Sequence, residues 1–437
     1  MKLAAGTPLH VSLAFAPDHL IPVGRLALDR GRAALEYDPA FIASGLTLNP
    51  RFGPPGRGLV WAEQPRLFDG MHGVFADSLP DAWGRELMRR RALARGIDPS
   101  ALTALDRLAI VGRRGMGALV YEPAFPAEDV DEIDVDALSR EALDVLAGHE
   151  GDDVLTILEE LGESSGGARP KVLVAIDAGG NLRAGTDAMP SGYDAWIVKF
   201  RAPRDRPDAG PLEAAYADMA RAAGIDVAET TLLPSRKHDL GYFATKRFDR
   251  GPAGERYHAL SVAGSLEAQW EIPSIDYHGL LNATRYVTRR QADVEQMFRR
   301  MLFNFAAHNR DDHAKQHAFL MDATGTWRLA PAYDLNFSSG PAGEHYLTVN
   351  GRGTAITGGD ITAVAARHNI SAATARAIVD EVLAAVADFD HIAARYDVPG
   401  SSRAEIATVL TGHERELRAL TSPSSARPRK AAKPRSG

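Results

Sequence analysis

The sequence contains no cysteine. That absence removes disulfides, thiolate nucleophiles and cysteine-based zinc sites, and it fits a reducing, cytoplasmic setting. No apolar stretch approaches the length of a membrane span. The opening MKLAAGTPLHVSLAF is broken by Pro8 and His10, which makes it a poor signal peptide. Neither sign of charge dominates. Lys plus Arg number 50 against 57 Asp plus Glu, a net charge of −7, which argues against wholesale coating of nucleic acid while permitting a local basic patch. There is no internal repeat. What remains is a cytosolic globular chain, 45% hydrophobic and 24% charged, with no membrane association expected. Its 437 residues suggest two or three lobes around more than one core.

Along the chain, residues 1–125 read as a mixed α/β subdomain. VGRLALDRGRAALEYD alternates as a hairpin turning at Asp29-Arg30-Gly31. SLPDAWGRELMRRRALARGID carries a helix start at Pro80 and a stop at Gly96, a second helix covers roughly Pro99 to Val111, and GMGALVYEP is a strand. Residues 126–250 open on an acidic linker and then turn to strands, KVLVAID, DAWIVKF, TTLLPS and GYFATKRFDR, with one helix, PLEAAYADMARAAGI, among them. Residues 251–421 are dominated by helical periodicity. Residues 422–437, SPSSARPRKAAKPRSG, are basic, rich in Pro and Ser and expected to be disordered. A β-rich lobe followed by a helical lobe leaves a cleft in which a nucleotide could sit.

Chemistry concentrates in four places. In ESSGGARPKVLVAID, small residues run straight into a strand, which lets backbone N–H groups approach an anion; alone, such a stretch is usually only a turn. AWIVKF sets Lys199 in an apolar strand, and Glu213 follows near the start of an amphipathic helix. A strand lysine paired with a helix glutamate is how protein kinases orient the α- and β-phosphates. HNRDDHAKQH places Gln316 five residues after Asp311, close to the Asp-x4-Asn spacing of a kinase catalytic loop. Asp311 would accept the hydroxyl proton, and the Gln316 amide would coordinate magnesium. WRLAPAYDLNFS then sets Asp334 after a short apolar strand, where a second magnesium-binding carboxylate belongs. His308, His313 and His317 could instead bind a metal, or the stretch could be a polar helix face. No H-E-x-x-H is present, and neither rival accounts for Lys199 and Asp334. The order of the set favours a bilobal, protein-kinase-like α+β core with a β-rich N-lobe and an all-α C-lobe.

These residues resemble the HipA family of bacterial serine/threonine kinases, the toxin halves of toxin–antitoxin pairs. VGRLALDRGRAALEYDPAFI and FADSLPDAWGRELM look like its N-terminal domain; SSGGARPK, WIVKF, KRFDR, NRDDHAKQHAFL and LAPAYDLN look like its kinase core. The resemblance implies ATP with Mg2+ between the lobes. Gly166, Gly167, Ala168, Arg169 and Lys171 would form the phosphate loop, with Lys199 on the phosphates. Lys246 and Phe248 would supply hinge backbone contacts to adenine, and His313 and Tyr333 would join the ATP site. Asp311 would be the catalytic residue, with Gln316 and Asp334 at the metal. It further implies autophosphorylation at Ser164 or Ser165, where a new dianion would compete with ATP. The implied protein substrate is glutamyl-tRNA synthetase, and the partner a helix-turn-helix antitoxin through which operator DNA is reached. Gln316 stands where the family usually has Asn. The alternative is therefore a weak kinase or pseudokinase acting as a DNA-binding co-regulator. For that reading, ITAVAARHNISAATARAIVDEV offers a helix-turn-helix pattern and the tail adds Arg427, Arg429, Lys430, Lys433 and Arg435.

Overall fold

The computed structural model describes residues 2–64, 66–125, 133–149, 157–158, 161–162, 169–184, 189–236, 240–252 and 254–421. The N-terminal subdomain is built on an antiparallel sheet of β1 (Leu9–Ala16), β2 (His19–Asp29), β3 (Arg32–Tyr37), β4 (Leu59–Trp61) and β5 (Leu119–Glu122), ordered β4-β3-β2-β1-β5. The expected hairpin forms with Asp29 opposite Arg32. Arg30 and Gly31 both take positive φ, 48° and 80°, the backbone that matches a two-residue turn to strand twist. Helix α1 (Ala82–Ala94) starts where Asp81 caps it, its Oδ1 accepting from Gly84 N at 3.0 Å. Helix α2 (Ala104–Val111) starts from a capping box made by Thr103 and Asp106. The residues from Pro99 to Ala101, expected to be helical with it, form a separate 3-10 turn.

The second sheet holds β6 (Lys171–Asp177), β7 (Leu182–Ala184), β8 (Tyr193–Lys199), β9 (Thr230–Leu233) and β10 (Tyr242–Lys246), ordered β7-β6-β8-β10-β9. Helix α3 (Val135–Ala147) precedes it, and α4 (Ala209–Ala222) crosses from β8 to β9. Val172, Val174, Trp196 and Val198 of this sheet share a core with Trp83 and Leu87 of α1. The N-terminal subdomain is thus packed into the β-rich lobe and does not stand beside it as a bead on a string.

The third part contains α5 (Tyr277–Thr288), α6 (Gln291–Ala306), α7 (Gly358–Arg367), α8 (Ala372–Ala387), α9 (Phe389–Ala394) and α10 (Gly400–Thr421). It also carries a sheet that helical periodicity did not suggest, β11 (His258–Ser261), β12 (Ala318–Met321) and β13 (Trp327–Leu329) in that order. Of its strands only β13, the short apolar run before Asp334, was expected; β11 and β12 are four-residue runs with little alternation. The candidate DNA reader is α7 and α8, which bury Ile361, Val364, Ile378, Val379, Val382 and Leu383 in the helical core. The exposed side of α8 presents Arg376, Asp380 and Glu381, the last paired with Arg299. The tail 422–437 lies outside the described residues. No helix among the described residues is long and apolar enough to cross a membrane.

The subdomains are fastened by a buried charge cluster. Asp249 is 0% exposed, and its Oδ2 accepts from Gly117 N (2.6 Å), Arg247 Nη2 (2.7 Å) and Arg250 Nη1 (2.6 Å). Arg247 and Arg250 donate onward to the carbonyl of Gly115, and Arg250 and Arg256 to that of Gly117. Gly117 is needed there, because its φ is +81° and a Cβ would fall 2.9 Å from Ala259 N. Burial opposes the charge of Asp249, but Arg247 and Arg250 outweigh it and hold the carboxyl well below the usual range. A second contact is made by glycine against glycine: a Cβ on Gly73 would meet Gly264 O at 2.3 Å. Asp249→Ala strands the buried arginines without their anion, so we expect a loss of about 3–5 kcal/mol in chemical denaturation. A loss within experimental error would show that the cluster does not hold the subdomains.

Candidate active site

Lys199 closes β8, and its Nζ sits 2.5 Å from Glu213 Oε1 and 2.7 Å from Asp334 Oδ1. Glu213 comes from the second turn of α4, whose packed face is set by Leu212, Ala215, Tyr216 and Met219. Asp334 follows β13 in a left-handed conformation, φ 56°, a region that Asp tolerates better than most residues. Its Oδ2 accepts from Gln316 Nε2 at 2.6 Å. One ammonium therefore ties together the β-rich lobe, its helix and the loop of the helical lobe. Burial opposes each charge in this set. The two carboxylates nevertheless raise the Lys199 pKa, and Lys199, Lys171 and the Gln316 amide hold Asp334 well below the usual range. Burial and the neighbouring Asp334 push Glu213 up.

The loop carrying Asp311 is anchored by its neighbour. Asp312 is 1% exposed and accepts from Tyr277 Oη (2.6 Å), His345 Nδ1 (3.0 Å) and Tyr346 N (2.9 Å). Asn309 is held to Asn304 of α6 through both backbone and side chain. His317 O accepts from Val262 N at 2.8 Å. With Asp312 pinned inward, Asp311 faces the cleft, its side chain 44% exposed. Partial burial, then the negative charge of Asp334, push it up to about 7. That places a proton acceptor near neutral pH, where general-base catalysis is most effective.

The remaining predicted residues are distributed around this centre. The Phe248 ring stacks on Tyr333 at 5.4 Å, and Tyr333 Oη donates to Lys315 O at 2.7 Å. Lys246 uses its side chain on Asp194 (2.7 Å) and gives its N–H to Glu229 O (2.8 Å). Arg169 pairs with Asp205 at 3.3 Å and lines a crevice with Lys199, Arg201, Glu213 and Phe243. Lys171 is buried opposite Lys199. Ser164, Ser165, Gly166, Gly167 and Ala168 lie outside the described residues.

The three histidines do not converge on a metal. His308 bonds His413 of α10 at 2.8 Å, His317 is buried behind the loop, and His313 packs between Trp270 and Tyr346. His313 Nε2 lies 3.9 Å from Asp311, and burial lowers its pKa to about 4, so it faces the cleft uncharged at neutral pH. Among the described residues no group of three or more His, Asp or Glu is arranged to hold a metal ion. Sequence reasoning missed Asp312, Tyr277 and His345, whose only signal was a second carboxylate beside Asp311.

An α+β fold with a lysine–glutamate pair in one lobe and an Asp–Gln–Asp set at the edge of the other defines a kinase-like architecture. The HipA-like C-terminal domain matches residues 163–389, and the HipA N-terminal domain matches residues 19–122. The chain belongs to the HipA family. Its fold is similar to that of HipA from Shewanella oneidensis MR-1, solved in a toxin–antitoxin complex with HipB and its operator DNA. That match has a TM-score of 0.68 at 15% identity over 94% of this chain and 98% of that one. The Helicobacter pylori proinflammatory kinase CtkA aligns with a TM-score of 0.42 at 13% identity, over 59% of this chain and 92% of that one. A comparison with curated proteins found no match.

The raised pKa of Asp311 has a measurable consequence without any ligand. Between its ordinary value of about 4 and about 7, the folded protein holds a proton that the unfolded chain has released. Stability therefore falls as pH rises through that window. Asp311→Asn removes the effect, so its melting temperature relative to wild type should be higher at pH 8 than at pH 5. A difference that did not change with pH would remove Asp311 as the titrating group.

Proposed function

We propose that this chain is a serine/threonine protein kinase that uses ATP and magnesium, and that it serves as the toxin of a type II toxin–antitoxin pair. The observation that carries the reading is the Glu213–Lys199–Asp334 bridge beside Asp311. In this reading Asp311 accepts the proton of a substrate hydroxyl as its oxygen bonds to the γ-phosphorus, and ADP leaves. Lys199, oriented by Glu213, holds the phosphates, while the backbone at Lys246 and Phe248 contacts the base.

The donor set suits a magnesium ion. Both oxygens of Asp334 are engaged by the Lys199 ammonium and the Gln316 N–H, so these donors stand where a hard cation would neutralise the carboxylate. Asp334 and the Gln316 Oε1 would hold the ion, which when bound offsets the charge of the phosphates. Gln316 reaches Asp334 from the end of a 3-10 turn, Ala314–Gln316.

The toxin role rests on family membership. The partner would be a helix-turn-helix antitoxin, with operator DNA reached through that partner. Glutamyl-tRNA synthetase is the proposed substrate class by resemblance, and Ser164 or Ser165 the proposed site of self-inactivation.

Lys199→Ala should lose ATP binding in calorimetry and activity together; undiminished binding would sink the assignment. Asp311→Asn should keep ATP binding while losing about 10²–10⁴ in rate, the contribution expected of a general base. Gln316→Asn should be neutral or faster across a magnesium titration. Phosphoproteomes of cells expressing wild type or Asp311→Asn would test the substrate: no differing tRNA synthetase serine would remove that claim and leave the kinase standing. Mass spectrometry after incubation with Mg-ATP should find phosphate within residues 163–171, and phosphate confined to the tail serines would argue against self-inactivation.

A further inference from the structure

The floor of the cleft contains a charge supplied by the other subdomain. Lys171 opens β6 directly opposite Lys199 in the β6–β8 register. Its Nζ lies 3.6 Å from Asp81 Oδ2, and the two side chains are 4% and 5% exposed. Asp81 divides its oxygens between two tasks: Oδ1 caps α1, while Oδ2 has no hydrogen-bond partner of its own and faces the lysine. Two residues further on, Trp83 Nε1 donates to Lys171 O at 3.0 Å. The first turn of α1 thus grips both the backbone and the side chain of the residue that begins the strand.

Among the described residues, charged groups from several elements bear on this pair. Lys171 meets Asp81 from the α1 cap, Lys199 from β8, Glu213 from α4 and Asp334 from the loop after β13. Asp81 in turn meets Lys171, Lys315 of the catalytic loop and Arg85 of its own helix. Burial and the like charge of Lys199 work against a proton on Lys171, and Asp81 is the first charge that works for it. Lys171 also helps hold Asp334 ionised.

We propose that Asp81 is a positioning residue for phosphate transfer: delivered by the N-terminal subdomain, it keeps the Lys171 ammonium charged and fixed at the cleft floor, where that ammonium complements nucleotide phosphate. This deepens the kinase reading and rests on it. It gives the N-terminal subdomain a direct part in the chemistry, because any movement of α1 away from β6 takes a nearby anion from a buried lysine. Lys171 then loses its proton or its place, and phosphate affinity falls with either.

The test separates charge from cap. Asn caps a helix as well as Asp does, so Asp81→Asn deletes only the charge. The KM for ATP and kcat are measured against pH for wild type, Asp81→Asn, Lys171→Met and the double variant of the full chain. Asp81→Asn should raise the KM for ATP about tenfold at pH 8, the scale of a lost charge-assisted contact. The effect should be smaller at pH 6.5, with the alkaline limb moved to lower pH. Lys171→Met and the double variant should be equally impaired. Lys171→Arg, which leaves the cap untouched and stays charged, should move the alkaline limb to higher pH than in wild type. The proposal is overturned by a KM that Asp81→Asn leaves unchanged at every pH, by losses that multiply in the double variant, or by an alkaline limb that Lys171→Arg does not move. Failure of the kinase reading is distinct from these: wild type itself would bind no ATP.

Discussion

A lysine ammonium buried in a protein costs several kcal/mol of desolvation unless anions repay it, and here the structure commits two. Lys199 is 14% exposed and lies within hydrogen-bonding distance of both Glu213 and Asp334. Those carboxylates come from a helix of the β-rich lobe and a loop of the helical lobe. Satisfying one charge therefore fixes the relative position of the two lobes. Much of the rest can be read as support for that triad. The packed face of α4 orients Glu213, β13 delivers Asp334, and Gln316 occupies the second oxygen of Asp334. Exchanging Lys199 from carboxylate to phosphate would leave its charge compensated throughout, which suits a group that must change partners without leaving a buried site.

The same logic recurs at the joint with the N-terminal subdomain, with a different outcome. Asp249 is enclosed by two arginines and a backbone N–H, and these donors are tied in turn to glycine carbonyls of the other subdomain. Nothing there is poised to exchange. The cluster is built from Arg247, Asp249 and Arg250 just past the end of β10, on both sides of Phe248, so that strand end is set by the N-terminal subdomain as much as by its own sheet. Asp81 and Trp83 meet the start of β6 as Gly115 and Gly117 meet the end of β10. Two separate parts of one subdomain thus fix two walls of one site, which gives a physical reason for the two being joined in a single chain.

How far the sequence discloses this depends on the range of the interaction. The Asp29–Gly31 turn, the α1 boundaries, β6, β8 and the Lys199–Glu213 pair follow from alternation, caps and a known pairing, and each is legible because its signal is local. Order along the chain also brought Asp311, Gln316 and Asp334 into one reading. KRFDR was visible as a motif, but its task was not, since the backbone N–H that Asp249 receives from the other subdomain, that of Gly117, lies 132 residues away. Lys171 was legible as the last residue of an expected phosphate loop; Asp81 was legible only as part of a helix start, 171 − 81 = 90 residues earlier. Of the sheet β11-β12-β13 only the short apolar strand before Asp334 was legible; β11 lies some 60 residues before β12, and only the folded chain brings the two together.

The adjacent pair Asp311-Asp312 shows most directly why composition could not assign roles. Two identical side chains follow one another, so propensity and charge cannot tell them apart. The backbone turns Asp312 into the core, where a tyrosine hydroxyl, a histidine and two backbone N–H groups are directed at its oxygens. Such a carboxylate, fully supplied with donors, is suited to holding a loop still. The opposite direction leaves Asp311 at the cleft with burial and a neighbouring anion against its charge, the environment that makes a carboxylate basic. The second arrangement requires the first. A carboxylate repelled by Asp334 would swing toward solvent unless its backbone were clamped, and the clamp is the residue beside it.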